Sequence, residues 1–248
     1  MKMYSLTTKK ERDYAAGIPS IINLGEIDPF YYELFKGLRA KVEYHIDKAE
    51  LRVLAVTSAI SGEGKTLTAI NLAVNMAATG RKKVLLVDMD LRKSDIAREL
   101  HIAQGPGLGE FLLGSVPMGK IVQNTVMPGL YIIPGGRPIS SPADMLSGEI
   151  FRSFLMDMRG KFDLVILDTP PILPVPDAIT VAEQVDAFIL VFRLDHTPHG
   201  LFHQAVEELG QKKIMGVVLN GEEKRADKYY HKYYGKYYQV AHTEGKRS

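Results

Sequence analysis

An apolar run that breaks into glycines and then resumes with helical spacing sets most of what this chain can become. Leu54-Ala-Val-Thr-Ser-Ala-Ile-Ser-Gly-Glu-Gly-Lys-Thr-Leu-Thr-Ala-Ile70 reads as a buried strand, a turn and a helix. Gly62 and Gly64 lack a Cβ, so the backbone there can turn its N–H groups onto a polyphosphate. Lys65 supplies a point charge, and Thr66 opens the helix, where unpaired backbone donors and the dipole favour an anion. The hydroxyl of such a threonine is the usual magnesium ligand of these loops. The full pattern wants glycine at position 59, where this chain has Ala59. A plain strand, turn and helix is the competing reading of the loop alone.

Two further apolar runs end in carboxylates. Val84-Leu-Leu-Val87 leads into Asp88-Met-Asp90-Leu-Arg92, and Leu164-Val-Ile-Leu167 leads into Asp168-Thr-Pro-Pro171. Unbroken apolar runs are what a parallel sheet covered on both faces requires, and such sheets bind ligands beyond the carboxyl ends of their strands. A single aspartate after a strand is commonly a helix cap. Three of them converging on a glycine-lysine-threonine loop are hard to explain that way. The fold class expected is α/β, P-loop NTPase-like, with a mostly parallel central sheet and helices on both faces.

The loop, the Asp-x-Asp-x-Arg segment and the late Asp-x-x-Pro together resemble the three Walker-type motifs of the bacterial tyrosine kinases that control export of capsular and extracellular polysaccharide. Partitioning and septum-placement ATPases resemble the chain more distantly, because their loops carry an extra early lysine where this chain has Ile60. The resemblance implies ATP and magnesium as cofactors. It places Ser61, Gly62, Glu63, Gly64, Lys65, Thr66 and Leu67 on the nucleotide, and it places magnesium on Thr66, Asp90 and Asp168, directly or through water. Lys65, Asp88, Asp90 and Arg92 become the catalytic set, with Asp88 accepting or orienting the tyrosine proton. Arg92 binds a phosphate or pairs with Asp90. By the same resemblance Asn220 reads the adenine edge; the alternative is an asparagine that terminates a strand.

The chain has 248 residues, 46% of them apolar and 24% charged, enough for one α/β domain. Expected boundaries are an extended arm over 1–27, a domain over 28–221 and a tail over 222–248. With no cysteine there is no disulfide framework or thiolate metal site, which fits the cytoplasm. The first thirty residues lack the apolar core of a signal peptide, and no apolar run reaches membrane-spanning length. The histidines are scattered without metal-type spacing, and nothing points to nucleic acid.

Asp28-Pro29 reads as a helix start, and Phe30, Leu34, Leu38, Val42 and Ile46 recur every four positions as one apolar face of a helix over 28–46. Beside that face stand Glu33, Lys36 and Arg39, either a solvated flank or, by resemblance, a ring-forming Glu-x-x-Arg-x-x-Arg motif whose middle arginine is here a lysine. Further elements expected are a helix over 67–79, strands at 83–87, 131–133, 187–192 and 214–219, and helices near 94–100, 108–113, 151–160 and 199–209. Ser141 and Pro142 cap one further helical region, and Pro170 to Pro176 form a stiff loop over the nucleotide edge. No chemistry is assigned to the middle third.

The tail carries Lys228-Tyr-Tyr-His-Lys-Tyr-Tyr-Gly-Lys-Tyr-Tyr-Gln239, a four-residue repeat. From Glu222 onward, seven Lys/Arg stand against four Asp/Glu, within a chain of net charge +2. A helical packing stripe and a membrane-surface segment are competing readings, the first weakened by Gly235. The functional reading makes Tyr229, Tyr230, Tyr233, Tyr234, Tyr237 and Tyr238 phosphate acceptors. A last strand parallel to the loop strand releases the chain on the nucleotide edge, and the segment from Asn220 to Tyr229 can span up to about 30 Å.

Three functions stand side by side: a tyrosine autokinase, a partitioning-type ATPase switch and a nucleotide-binding scaffold with a membrane-binding tail. Ile60 and the tyrosine repeat favour the first. The resemblance then implies a transmembrane polysaccharide co-polymerase or chain-length adaptor as activator, a homo-oligomeric ring, a cognate tyrosine phosphatase and attachment to the inner face of the plasma membrane through the partner.

Overall fold

The computed structural model describes residues 29–221. The expected arm and the six tail tyrosines lie outside the described residues. Among those described, seven strands form one sheet in the order β3-β4-β2-β5-β1-β6-β7. The strands are β1 Val53–Ser58, β2 Val84–Asp88, β3 Gln123–Asn124, β4 Leu130–Ile133, β5 Leu164–Asp168, β6 Ala187–Arg193 and β7 Ile214–Asn220. All neighbours run parallel except β3, which pairs antiparallel with β4. Every residue of β1, β2 and β5 is buried, as sheet interiors with helices on both faces demand.

The helices are α1 Pro29–Ala49, α2 Lys65–Ala77, α3 Ile96–Glu99, α4 Leu108–Leu112, α5 Pro142–Ser147, α6 Glu149–Lys161, α7 Asp177–Thr180 and α8 His199–Leu209. One apolar layer joins α1, α2 and α3 to the sheet through residues such as Ile46, Leu72 and Ile96. The opposite layer gathers α4 to α8 around Phe151, Phe154 and Phe188. Ala59 falls in this second layer, fully buried, so its methyl is accommodated where the loop pattern would have glycine.

The expected apolar face of α1 divides in two. Val42 and Ile46 are buried against the α2 layer, whereas Leu34 is 47% exposed. Two elements were absent from the sequence reading, the two-residue strand β3 and the four-residue helix α7. Ser141 does occupy the N-cap of α5, with Pro142 first in the helix, but its side chain makes no capping hydrogen bond.

The proline-rich segment after β5 is pinned rather than merely stiff. Ile172 N–H donates to the Ser58 carbonyl at 2.9 Å and Leu173 N–H to the Ala59 carbonyl at 3.2 Å. The side chain of Thr57 donates to the Pro170 carbonyl at 3.0 Å. The lead-in to the glycine loop is therefore fixed from its β5 side before the loop begins.

Candidate active site

At the carboxyl edge of the sheet, Asp168 is level with Val56 on β1 and with Asp88 on β2. Register therefore brings the loop and both strand-end carboxylates to one place. Gly62 and Gly64 have φ of +84° and +94°, a region that side-chain-bearing residues rarely enter. Gly64 has a second reason to be glycine, since a Cβ there would sit 2.1 Å from Nδ2 of Asn220.

Lys65 heads α2 and turns back across the site. Its Nζ lies 3.3 Å from Oδ2 of Asp90, 3.8 Å from Oδ1 of Asp168 and 3.3 Å from the Thr66 hydroxyl. Burial disfavours the Lys65 charge, and Asp168 and Asp90 more than compensate, leaving its pKa above the ordinary value.

Asp88 is fully buried and heavily engaged. Oδ2 accepts hydrogen bonds from the Ser94 hydroxyl at 2.7 Å and from Ile96 N–H at 3.0 Å, while Oδ1 accepts from Asp90 N–H at 3.2 Å. Burial pushes its pKa up to about 7, the neighbouring Asp168 adds to the effect, and Ser94, Ile96 and Lys65 hold it back. Gly135, in the middle third that was assigned no chemistry, packs against this pair: a Cβ there would meet Ser94 Oγ at 2.7 Å.

Asp168 differs from Asp88 in having no hydrogen-bond partner on either carboxylate oxygen, although it is fully buried. Its pKa is raised to about 6, by burial first, with Lys65 and the adjacent Thr66 hydroxyl pulling it down. A buried carboxylate whose closest cation stands 3.8 Å away, beyond hydrogen-bond reach, is costly unless something else completes it. Thr66, Asp90 and Asp168 offer the hard oxygen donors that magnesium prefers, so the residues present fit that ion. Among the described residues no three His, Cys, Asp or Glu side chains form a group that could hold a metal by themselves.

Arg92 does not pair with Asp90. Its guanidinium forks onto Asp177 of α7, Nε to Oδ2 at 2.9 Å and Nη2 to Oδ1 at 3.0 Å. Asn220 lies against the glycine loop, with Nδ2 donating to the Glu63 carbonyl at 2.8 Å and Oδ1 accepting from Gly221 N–H at 2.9 Å. Glu63, which the resemblance places on the nucleotide, has its carboxylate fully buried, accepting from Ile60 N–H at 2.7 Å and from the Thr197 hydroxyl. Sequence reasoning missed Ser94, Asp177 and Thr197, of which only Ser94 lies close enough along the chain to Asp88 to have been suspected.

Comparison with known proteins agrees with this fold. A family model described as an AAA domain matches residues 51–203. The tyrosine-protein kinase CpsD of Streptococcus agalactiae serotype III is 33% identical over 192 residues, covering 76% of this chain and 81% of the relative. The chain belongs to the bacterial tyrosine-protein kinase family. Tyrosine-protein kinase YwqD of Bacillus subtilis is likewise 33% identical, over 205 residues, 82% of this chain and 86% of that one. Among solved structures, the kinase domain of the Escherichia coli tyrosine kinase ETK superposes with a TM-score of 0.79 at 30% identity, covering 88% of this chain and 86% of that chain. The septum site-determining protein MinD of Pyrococcus horikoshii, solved with Mg-ADP, shares the fold at 22% identity and a TM-score of 0.59, over 70% of this chain and 71% of that one.

Proposed function

We propose that this chain is an ATP-dependent tyrosine autokinase whose acceptors are the tyrosines of its own 229–238 cluster, filled in trans within an oligomer, and that it regulates polysaccharide polymerisation or export. The observation that carries the chemistry is Asp168, buried and without a hydrogen-bond partner beside Lys65 and Thr66. In this reading Lys65 and the loop amides hold the β- and γ-phosphates of ATP, and Thr66, Asp90 and Asp168 hold magnesium. When bound, the ion neutralises charge on the transferring phosphoryl group.

The phenol oxygen of a tyrosine forms a bond to the γ-phosphorus as the bond to the ADP oxygen breaks. Asp88 is the proposed acceptor of the phenolic proton; a pKa raised to about 7 makes it a better base near neutral pH than an ordinary carboxylate. Asp88 also holds the Asp90 segment in place, through Asp90 N–H and Ser94. Arg92 anchors the other end of that segment on Asp177. Asn220 is proposed to meet the adenine with the amide positions left over from its loop contact. Glu33, Lys36 and Arg39 are the proposed ring contact, with Glu33 and Lys36 paired at 2.7 Å within one chain.

Among the described residues no helix is long and apolar enough to cross a membrane. We place the protein at the inner face of the plasma membrane through a transmembrane polysaccharide co-polymerase that activates it, with a cognate phosphatase reversing the modification. The test is phosphotyrosine formation from Mg-ATP by the full chain with and without that activator. Tyrosine phosphate that depends on Lys65 supports the reading. ATP turnover without it would favour a partitioning-type switch.

A further inference from the structure

Four successive carbonyl oxygens of the glycine loop, residues 60 to 63, are each held by a side chain. Ser58 Oγ, at the end of β1, donates to the Ile60 carbonyl at 2.8 Å. The other donors come from elsewhere: His196 Nε2 to Ser61 at 3.0 Å, Arg193 Nη1 to Gly62 at 3.0 Å and Asn220 Nδ2 to Glu63 at 2.8 Å. Because a carbonyl only accepts, the His196 ring carries its proton on Nε2. Beneath them the buried Glu63 carboxylate ties Ile60 N–H to the Thr197 hydroxyl. Arg193 ends β6, His196 and Thr197 lie in the turn that leads from it to α8, and Asn220 is joined to that turn through Leu194 N–H, which donates to its carbonyl at 2.9 Å.

A peptide plane whose oxygen is fixed outward has its N–H fixed inward, because the two are antiparallel across a planar trans bond. The direction of the loop amides toward a bound phosphate is therefore set from outside the loop. We propose that the β6–α8 turn and Asn220 form a brace that pre-orients the amides for a β-phosphate, making Arg193, His196, Thr197, Asn220 and Glu63 positioning residues for diphosphate and triphosphate nucleotides. The proposal rests on the reading of residues 61–67 as the nucleotide loop. Pre-set dipoles bind charge without the cost of reorganising. The brace thus favours nucleotides with a phosphate in the cradle over those that end at the α-phosphate.

The test compares Mg-ADP and AMP binding by calorimetry on the full chain, with a thermal melt for each variant. In Arg193→Met one donor is lost from a half-exposed surface position, and the preference for ADP over AMP should fall about tenfold, while Arg193→Lys, which can still donate, keeps most of it. Glu63→Ala, which removes the acceptor of both Ile60 N–H and the Thr197 hydroxyl, should lose the preference. Equal ADP-to-AMP ratios in the parent, Arg193→Met and Glu63→Ala would overturn the brace, as would weakening of both nucleotides in step with a lowered melting temperature. Failure of the parent itself to bind ADP would instead overturn the nucleotide-loop reading.

Discussion

Asp88 and Asp168 are register partners on the last rung shared by β2 and β5, both fully buried, yet one carboxylate accepts three hydrogen bonds and the other none. Asp88 holds the chain that follows it, and Asp168 is the proposed cation ligand. That division predicts opposite consequences for the two amide substitutions. Asp168→Asn removes a buried charge without a hydrogen-bond partner, so the melting temperature measured in EDTA should rise, while Mg-ATP-dependent phosphorylation falls by at least about 100-fold. Asp88→Asn turns one of two accepting oxygens into a donor, so either the Ser94 and Ile96 contacts or the Asp90 N–H contact is lost, and it should destabilise the fold by about 1–3 kcal/mol. Urea denaturation of both variants in EDTA measures the contrast.

The same pair sets an unusual pH trend. Folded pKa values of about 7 for Asp88 and about 6 for Asp168 lie above the 3.8 of an unfolded aspartate, so the native state holds protons that the unfolded chain has released. Stability is then greatest below pH 4 as far as these two groups are concerned, and it is lost as pH rises through 4 to 7. Lys65, the facing cation, stays charged throughout that window and does not reverse the sign. In EDTA the urea midpoint should fall between pH 5 and pH 8, and magnesium with nucleotide should flatten the slope. A midpoint that climbs over that range would contradict the assignment.

Arg92 and Asp177 are unequally buried, the arginine side chain 38% exposed and the aspartate 0%. Removing either partner is therefore not symmetric. Arg92→Leu strands a charge that water cannot reach and should cost about 3 kcal/mol, whereas Asp177→Asn leaves a guanidinium able to find solvent and should cost about 1 kcal/mol or less. Chemical denaturation of both variants measures the order, which matters more than either value.

On α1, Val42 and Ile46 anchor the helix while Leu34 projects from it. Ile46→Ala should lower stability by about 2 kcal/mol or more. Leu34→Ser should leave the melting temperature of the monomer within about a degree of the parent, because the side chain leaves little water-excluded contact behind. If this half of the helix is an assembly surface, Leu34→Ser will lower the mass seen by light scattering. An unchanged mass would exclude Leu34 from the assembly.

The sequence carried the parts of this architecture that are local. The helix at His199–Leu209 falls where its spacing places it, and the apolar runs before Asp88 and Asp168 became central strands because only a doubly covered parallel sheet buries such runs whole. Short elements escaped for the same reason: two residues of β3 cannot show alternation, and four residues of α7 make a single turn. Contacts of the site split along the same line. Lys65 and Thr66 were legible from the loop, whereas Thr197 meets Glu63 across 134 residues and Arg92 meets Asp177 across 85. No spacing rule reports on partners that only the sheet order brings together.

The central claim is that phosphate moves from ATP to this chain's own tyrosines. Intact mass and peptide mapping after incubation with magnesium and ATP, in the presence of the membrane activator, test it most directly, comparing dephosphorylated parent with Lys65→Met. The account predicts added phosphates confined to Tyr229–Tyr238 in the parent and none in the variant. Unchanged mass in the parent, with ATP still consumed, would contradict it.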